Sequence, residues 1–386
     1  MLFPYSTDRD LQRMPWATIS LIAVNLLCVL AWFDPEVMKA LIFNPQALEW
    51  WQPLTALFMH AGIMHLLGNM LVLWVFGTHV EDTVGIPKYL LLYFSSGLGA
   101  LALQVLSDQV FYGKLHGGLG ASGAIMGLVA LFATRYRRVG VNFFYLWWFY
   151  PGTFTVAAMW VALVYAGLNL AEGLAYGLSG TSGGVGFWAH LGGFAIGLAW
   201  SYGLKLPEIC MAEEAGTAAR SWAAAGAYKK AGATLEAALR KAPWDPDLHA
   251  QAAECYARDP SAQALAARHW TQALQIWLKQ GAADQVAAEW PHLSGKLSVA
   301  DLDPRLACEL GLCLEKAGLT PSAERVYAGL VEAHPEAPEA PGAAKRVADL
   351  AARRGNAEGA RQWYEHLVKR WPDSLEALEA EAKLRG

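Results

Sequence analysis

The sequence predicts an all-α protein in two parts: an apolar six-helix transmembrane bundle over residues 1–206 and a soluble α-solenoid over residues 207–386. Three observations lead there. The chain is 55% hydrophobic and 17% charged, with 17 tryptophans, well away from the usual soluble mix. Its charge is uneven, because residues 1–206 hold 9 of the 30 Lys+Arg and 9 of the 34 Asp+Glu, so the second part carries the whole formal charge of −4. An internal repeat runs through the last third. Neither part has the strongly basic face that nucleic-acid binding requires, so no nucleic-acid partner is expected.

Crossing a hydrocarbon core takes about 20 helical residues. Apolar runs predict spans near Trp16–Phe33, Leu54–Phe76, Tyr89–Leu106, Ala121–Thr134, Thr153–Leu170 and Phe187–Leu204. The first follows Arg9 and Arg13 and ends at Asp34-Pro35 with no small-residue cleavage site, which predicts a retained helix rather than a signal peptide. The fourth is too short to cross alone. It can begin below the membrane surface only where the glycine-rich GLGASGAIMG (residues 118–127) is buried in protein or lines a wet cavity. Arg135, Arg137, Arg138 and Lys205 fall on one side, whereas Asp34–Pro53 is net acidic and Glu172–Gly186 has no base. By the positive-inside rule both termini are cytoplasmic, and Ser122 opens toward the periplasm or exterior. The expected setting is a bacterial inner membrane, in contact with lipid.

Strongly polar groups at membrane depth are costly and mark function by default. The sequence singles out His60, His65 and Asn69 in FMHAGIMHLLGNM, Ser122, and His190 in FWAHLGGFAIG. Ser122 heads its helix, where unpaired N–H groups and the positive dipole end would stabilise an oxyanion. Taken alone it fits an ordinary helix cap equally well. His190 lies about one turn into the last span, at similar depth, and imidazole is the usual base for a serine hydroxyl. Gly123 and Gly127, like Gly193 and Gly197, are four apart, a spacing that lets two helices approach closely enough for hydroxyl to touch imidazole. The same glycines also read as plain packing motifs. His65 and Asn69 share a helix face and can donate to developing negative charge, or act as a structural clamp. His60 is off that face, which suggests a structural role in the loop. No carboxylate is near His190 in sequence, so a Ser–His dyad is expected. The five cysteines form no CxxC pair, and neither a metal nor a cofactor is implied.

Together these motifs resemble the rhomboid intramembrane serine proteases. The GxSG nucleophile motif matches Gly120-Ala121-Ser122-Gly123, the AHxxGxxxG base motif matches Ala189, His190, Gly193 and Gly197, and HxxxxHxxxN matches His60, His65 and Asn69. A GxxxExxxG pattern matches Gly77, Glu81 and Gly85 and reads as structural. The resemblance covers roughly residues 14 to 206. It implies catalysis by Ser122 and His190, an oxyanion held by His65, Asn69 and the Ser122 N–H, structural roles for His60, Gly120, Gly123, Gly193 and Gly197, and transmembrane protein substrates. By analogy, the aromatic stretch Phe143–Tyr150 leads span five, which with span two would form a lateral route for substrate. The alternative is a catalytically inactive relative that escorts transmembrane clients; such relatives lack the serine or histidine, and both are present here. HExxH and paired intramembrane aspartates, the signatures of other intramembrane proteases, are missing. The chain departs from the family at Trp51-Gln52, where many relatives have Trp-Arg, and at Met126, where some carry an aromatic that stacks on the base.

From about Pro207 the pattern is alanine-rich, charged and helical. Residues 314–340 resemble 350–377 at an offset of 37, aligning Gly318 with Gly355, Ala323 with Ala360, Tyr327 with Tyr364 and Pro335 with Pro372; 222–256 is a looser copy. This predicts tetratricopeptide-like helix pairs, whose concave surface would take a cytosolic protein or peptide. A plain helical bundle would also accommodate such repeats.

Overall fold

The computed structural model of the chain describes residues 2–147, 150–181 and 186–385. It divides into two compact units, Met1–Cys210 and Met211–Gly386. The division falls inside one helix, Leu206–Ala224, four residues beyond the change in composition.

Among the described residues of the first unit, four helices are long and apolar enough to cross a membrane: Trp16–Phe33, Ile63–Val84, Ile86–Tyr112 and Ala158–Ser179. Two shorter apolar helices, Ser122–Arg135 (the serine helix) and Phe187–Gly203 (the histidine helix), pack against each other and against Ile86–Tyr112. Two expected spans begin elsewhere. Residues 52–58 form a short helix and a 3₁₀ turn, so the second long helix starts at Ile63, not Leu54. Residues 153–157, expected to be helical, are strand.

That strand belongs to a three-stranded antiparallel sheet that the sequence pattern does not announce: β1 (Leu2–Thr7), β2 (Gly140–Trp147) and β3 (Tyr150–Ala157), in the order β1-β2-β3. Phe143 pairs with Phe154, and Tyr145 with Gly152. Strand β2 is apolar on both faces, so the period-two alternation that would mark a strand is blurred.

The first helix has no cap of its own, since the residue ahead of it is Pro15. The buried Glu81 carboxylate supplies one, accepting the N–H groups of Ala17 and Thr18 at 2.9 and 2.7 Å and the Thr18 hydroxyl at 2.8 Å. Orphan N–H donors at a helix start and a buried carboxylate thus satisfy one another. Glu81 of the GxxxExxxG pattern therefore holds the first two long helices together.

The second unit is built of helix pairs whose turns end on a left-handed glycine: Gly226, Gly281, Gly318 and Gly355 all have φ between 70 and 80°. Each is followed five residues later by a buried small or branched residue (Ala231, Val286, Ala323, Ala360) and nine residues later by a buried large one (Leu235, Trp290, Tyr327, Tyr364). Gly281 stands 37 residues before Gly318, a third in-register copy that is masked in the sequence because Val and Trp replace Ala and Tyr.

One polar pair lies inside this unit. His249 and His269, on Pro246–Ala257 and Gln263–Lys279, meet Nδ1 to Nδ1 at 3.0 Å, and Tyr256 stacks on His269. Pro243 O faces His249 Nε2 at 3.3 Å, and Glu236 lies 3.5 Å from His269 Nε2. Burial is the largest influence on both rings and holds them below the ordinary histidine value of 6.5, although Pro243 pulls His249 up and Glu236 pulls His269 up. Below pH 6.5 the unfolded chain therefore binds more protons than the folded one, and stability falls as pH falls. Hydrogen exchange of peptides from residues 246–279 in the full chain, corrected for intrinsic rate, should show lower protection at about pH 5.5 than at about 7.5. Peptides from 340–370 should change less. Equal behaviour of the two regions contradicts this.

Candidate active site

The serine and histidine helices touch backbone to backbone. A Cβ placed on Gly193 would overlap the carbonyl oxygen of Gly123, and one on Gly197 would overlap that of Gly127. Only glycine fits at these crossings. The consequence is a direct contact: the Ser122 hydroxyl lies 2.9 Å from His190 Nε2.

Which nitrogen is basic follows from a residue outside the recognised motifs. Asn169, on the Ala158–Ser179 helix, donates its side-chain N–H to Tyr165 O at 2.8 Å, which turns its carbonyl oxygen toward His190. His190 Nδ1–H donates to that oxygen at 2.7 Å. With its hydrogen on Nδ1, the ring presents a bare Nε2 lone pair to the Ser122 hydroxyl. The contacts run in series from Ser122 through His190 to Asn169, so the Ser–His pair expected from the sequence gains a neutral amide partner. Asn169 was detectable in principle, being a strongly polar residue at membrane depth. What hides it in the sequence is the expectation of a carboxylate in that role.

The other candidates gather on the far side of the serine. Gly120 has φ of +115°, and a Cβ there would strike the His65 ring. Ala61 N–H donates to His65 Nδ1 at 3.4 Å, which leaves Nε2 as the donor lying against Gly120. Asn69 is buried and its Nδ2 has no acceptor among the described residues, an orphan donor of the kind that calls for a functional explanation. Neither His65 nor Asn69 is hydrogen-bonded to Ser122 or His190 among the described residues. His60 sits edge-on to His65, ring centroids 5.1 Å apart, and is tied to Phe58 O at 3.3 Å, so it buttresses His65.

The loop ahead of Ser122 is fastened at both ends. Phe43 and Gly118 exchange two backbone hydrogen bonds at 3.0 Å, and Gly120 N–H donates to Ala56 O at 2.8 Å. Farther back, the fully buried Asp108 accepts His116 N–H at 2.7 Å and the Gln104 amide at 2.9 Å, while Gln104 Oε1 accepts Ala189 N–H at 3.3 Å. Asp108 and Gln104 thereby connect the serine loop to the start of the histidine helix.

Both departures from the family pattern are compensated. Gln52 is buried, and its Oε1 accepts Asn44 N–H and Glu49 N–H at 3.1 and 3.3 Å, organising the first loop without an arginine. Met126 is buried in the core, and the aromatic contact to His190 comes from Tyr165, at 6.1 Å between centroids.

The family model for the Rhomboid domain matches residues 47–206. The chain is 29% identical over 166 residues to Rhomboid-type serine protease 2 of Emericella nidulans, covering 43% of this chain and 29% of that protein. It is 42% identical over 80 residues to Rhomboid protease GluP of Bacillus subtilis, covering 20% and 14%. It is also 29% identical over 195 residues to the human mitochondrial presenilin-associated rhomboid-like protein, covering 48% of each. The chain thus spans less than half the length of these relatives. Over residues 47–206 it is similar to the rhomboid family. Two solved tetratricopeptide-repeat structures also align: YrrB, at 18% identity over 44% of this chain and 92% of that one with a TM-score of 0.24, and TTC0263 of Thermus thermophilus, at 17% identity over 45% and 97% with a TM-score of 0.22.

Two outcomes follow from the geometry. With Ser122 as nucleophile and His190 as base, Gly193→Ala should force the helices apart and cut turnover at least as far as losing a general base does, roughly 10²–10⁴-fold; wild-type turnover would contradict the close crossing. Asn169→Ala should lower kcat by roughly 10-fold or more, but by less than the roughly 10²–10⁴-fold that the general base itself supplies, with KM little changed and a displaced pH profile. A loss confined to KM would mean that Asn169 does not orient the base.

Proposed function

We propose that the protein is an intramembrane serine endopeptidase that cleaves transmembrane protein substrates. The observation that carries this reading is the Ser122 Oγ to His190 Nε2 contact of 2.9 Å, backed by Asn169. Ser122 Oγ attacks the scissile carbonyl carbon while its proton passes to His190 Nε2. The carbonyl oxygen becomes an oxyanion, received by the Ser122 N–H at the helix start and by the side chains of His65 and Asn69. His190 then gives its proton to the departing amine nitrogen, leaving an acyl-enzyme on Ser122. A water molecule, deprotonated by His190, hydrolyses that ester and restores the serine. Asn169 stabilises the imidazolium formed in each half-reaction through its carbonyl dipole.

In this reading six helices cross the membrane, the termini are cytoplasmic and Ser122 opens to the opposite side. The second unit is a tetratricopeptide-like solenoid that recruits a protein partner or a substrate's cytosolic tail. A cleft between Pro304–Lys316 and Ala340–Arg353, lined by Lys316, Arg346, Arg353 and Arg354 around Glu315, suits a peptide bearing carboxylates. The presence of both Ser122 and His190 supports a working peptidase over an inactive client-binding relative.

Reconstituted into liposomes with a model transmembrane substrate, wild-type protein should cleave. Ser122→Ala and His190→Ala should each abolish cleavage without unfolding, and the double variant should be no worse, because the two act as a unit. His65→Ala and Asn69→Ala should each cost less than the serine variant, on the order of 10²–10³-fold in kcat, as loss of one oxyanion donor does. Cleavage persisting in Ser122→Ala would sink the assignment.

A further inference from the structure

The β2–β3 hairpin takes no part in the catalytic steps of the peptidase reading. Its base is in the core: Val141 and Phe143 are buried with Tyr136 and Ala158. Toward the tip it emerges with apolar groups on both faces. Tyr145 and Phe154 on one face are 38% and 41% exposed, Phe144 and Leu146 on the other are 39% and 44% exposed, and Tyr150 is 78% exposed. Phe143 stacks on Phe154, and Tyr145 lies across Gly152, so the aromatic surface is held in shape.

Three further facts identify what covers this surface. No Asp, Glu, Lys or Arg occurs in the 33 residues 139–171. Strand β3 is an edge strand, and the sequence gives it no charge to guard that edge, as a water-exposed edge would need. It also runs directly into the Ala158–Ser179 helix. That helix has 22 residues. At about 1.5 Å per residue it already fills a hydrocarbon core of about 30 Å. The hairpin ahead of it therefore lies outside the core, on the side where that helix begins. Water and headgroups there can satisfy the open edge, and tyrosine and tryptophan are enriched.

We propose that Phe144, Tyr145, Leu146, Tyr150 and Phe154 of the β2–β3 hairpin dock on the lipid surface, sinking into the headgroup–acyl boundary of the leaflet where the Ala158–Ser179 helix begins. The ligand class is phospholipid, bound through apolar contact. Anchored this way, the hairpin fixes the depth of the helix that carries Asn169 and Tyr165.

The photoreactive residue p-benzoylphenylalanine, introduced at Tyr150 of the full chain in nanodiscs of phosphatidylcholine and phosphatidylglycerol, tests this. After irradiation, mass spectrometry should find phospholipid joined to the peptide carrying position 150, through acyl carbons. The same label at Leu146 gives a second chance should the first variant fold poorly. A control label at Asn142, near the base and bonded to Ser6 and Asp8, should give several-fold less lipid adduct. The proposal is overturned if positions 150 and 146 give no lipid adduct, or if the crosslinks run to a second copy of the chain or to an added transmembrane substrate. The latter result would mark the open edge of β3 as a strand-pairing site. These readouts are independent of catalysis and can be made in Ser122→Ala.

Discussion

The contact of Gly193 with Gly123, and of Gly197 with Gly127, sets the distance on which the rest of the site depends. A serine hydroxyl and an imidazole on separate helices meet at 2.9 Å only if the two backbones approach more closely than any side chain permits. In lipid, little hydrophobic force drives one apolar helix onto another, so packing must supply the association. The glycine surfaces do so and align the two reactive groups by the same act. The glycines around Ser122 serve a second purpose, since Gly120 adopts a left-handed conformation and leaves room for the His65 ring.

Around that crossing most polar groups satisfy one another with few charges, although Ser96 Oγ, against Gly127, and His60 Nε2 are buried without a partner among the described residues. Asn169 gives its amide N–H to Tyr165 O and offers its carbonyl to His190, which fixes the imidazole tautomer without a buried charge. A carboxylate in the same place would have to be desolvated at considerable cost. Where carboxylates are buried, at Asp108 and Glu81, each accepts several hydrogen bonds and each ties together segments distant in sequence. Asn69 Nδ2 is likewise a buried donor without an acceptor among the described residues, and the proposed oxyanion would supply one.

Much of this could be read in the sequence, for identifiable reasons. Ser122, His190 and the glycine spacings are local patterns whose meaning survives without coordinates. Asn169 is not local: its role depends on which face the Ala158–Ser179 helix turns inward, and no motif surrounds it. Gln52 looked like the loss of an arginine, because nothing in sequence reveals that its carbonyl oxygen would gather two loop N–H groups. The β-hairpin was hidden by aromatic residues on both faces, which imitate the start of a span. In the second unit the turning glycine kept its place in every copy, but the copy at Gly281 was masked by larger side chains serving the same burial.

Central to the account is that Ser122 is made nucleophilic by His190 across the glycine crossing. A fluorophosphonate reacts with an activated serine irrespective of any substrate's sequence, so it reads that activation directly. Wild-type protein in lipid should acquire one adduct, on the peptide containing Ser122, and His190→Ala should lose it while retaining its helical content. An unlabelled Ser122 in well-folded wild-type protein, or equal labelling in His190→Ala, would contradict the account.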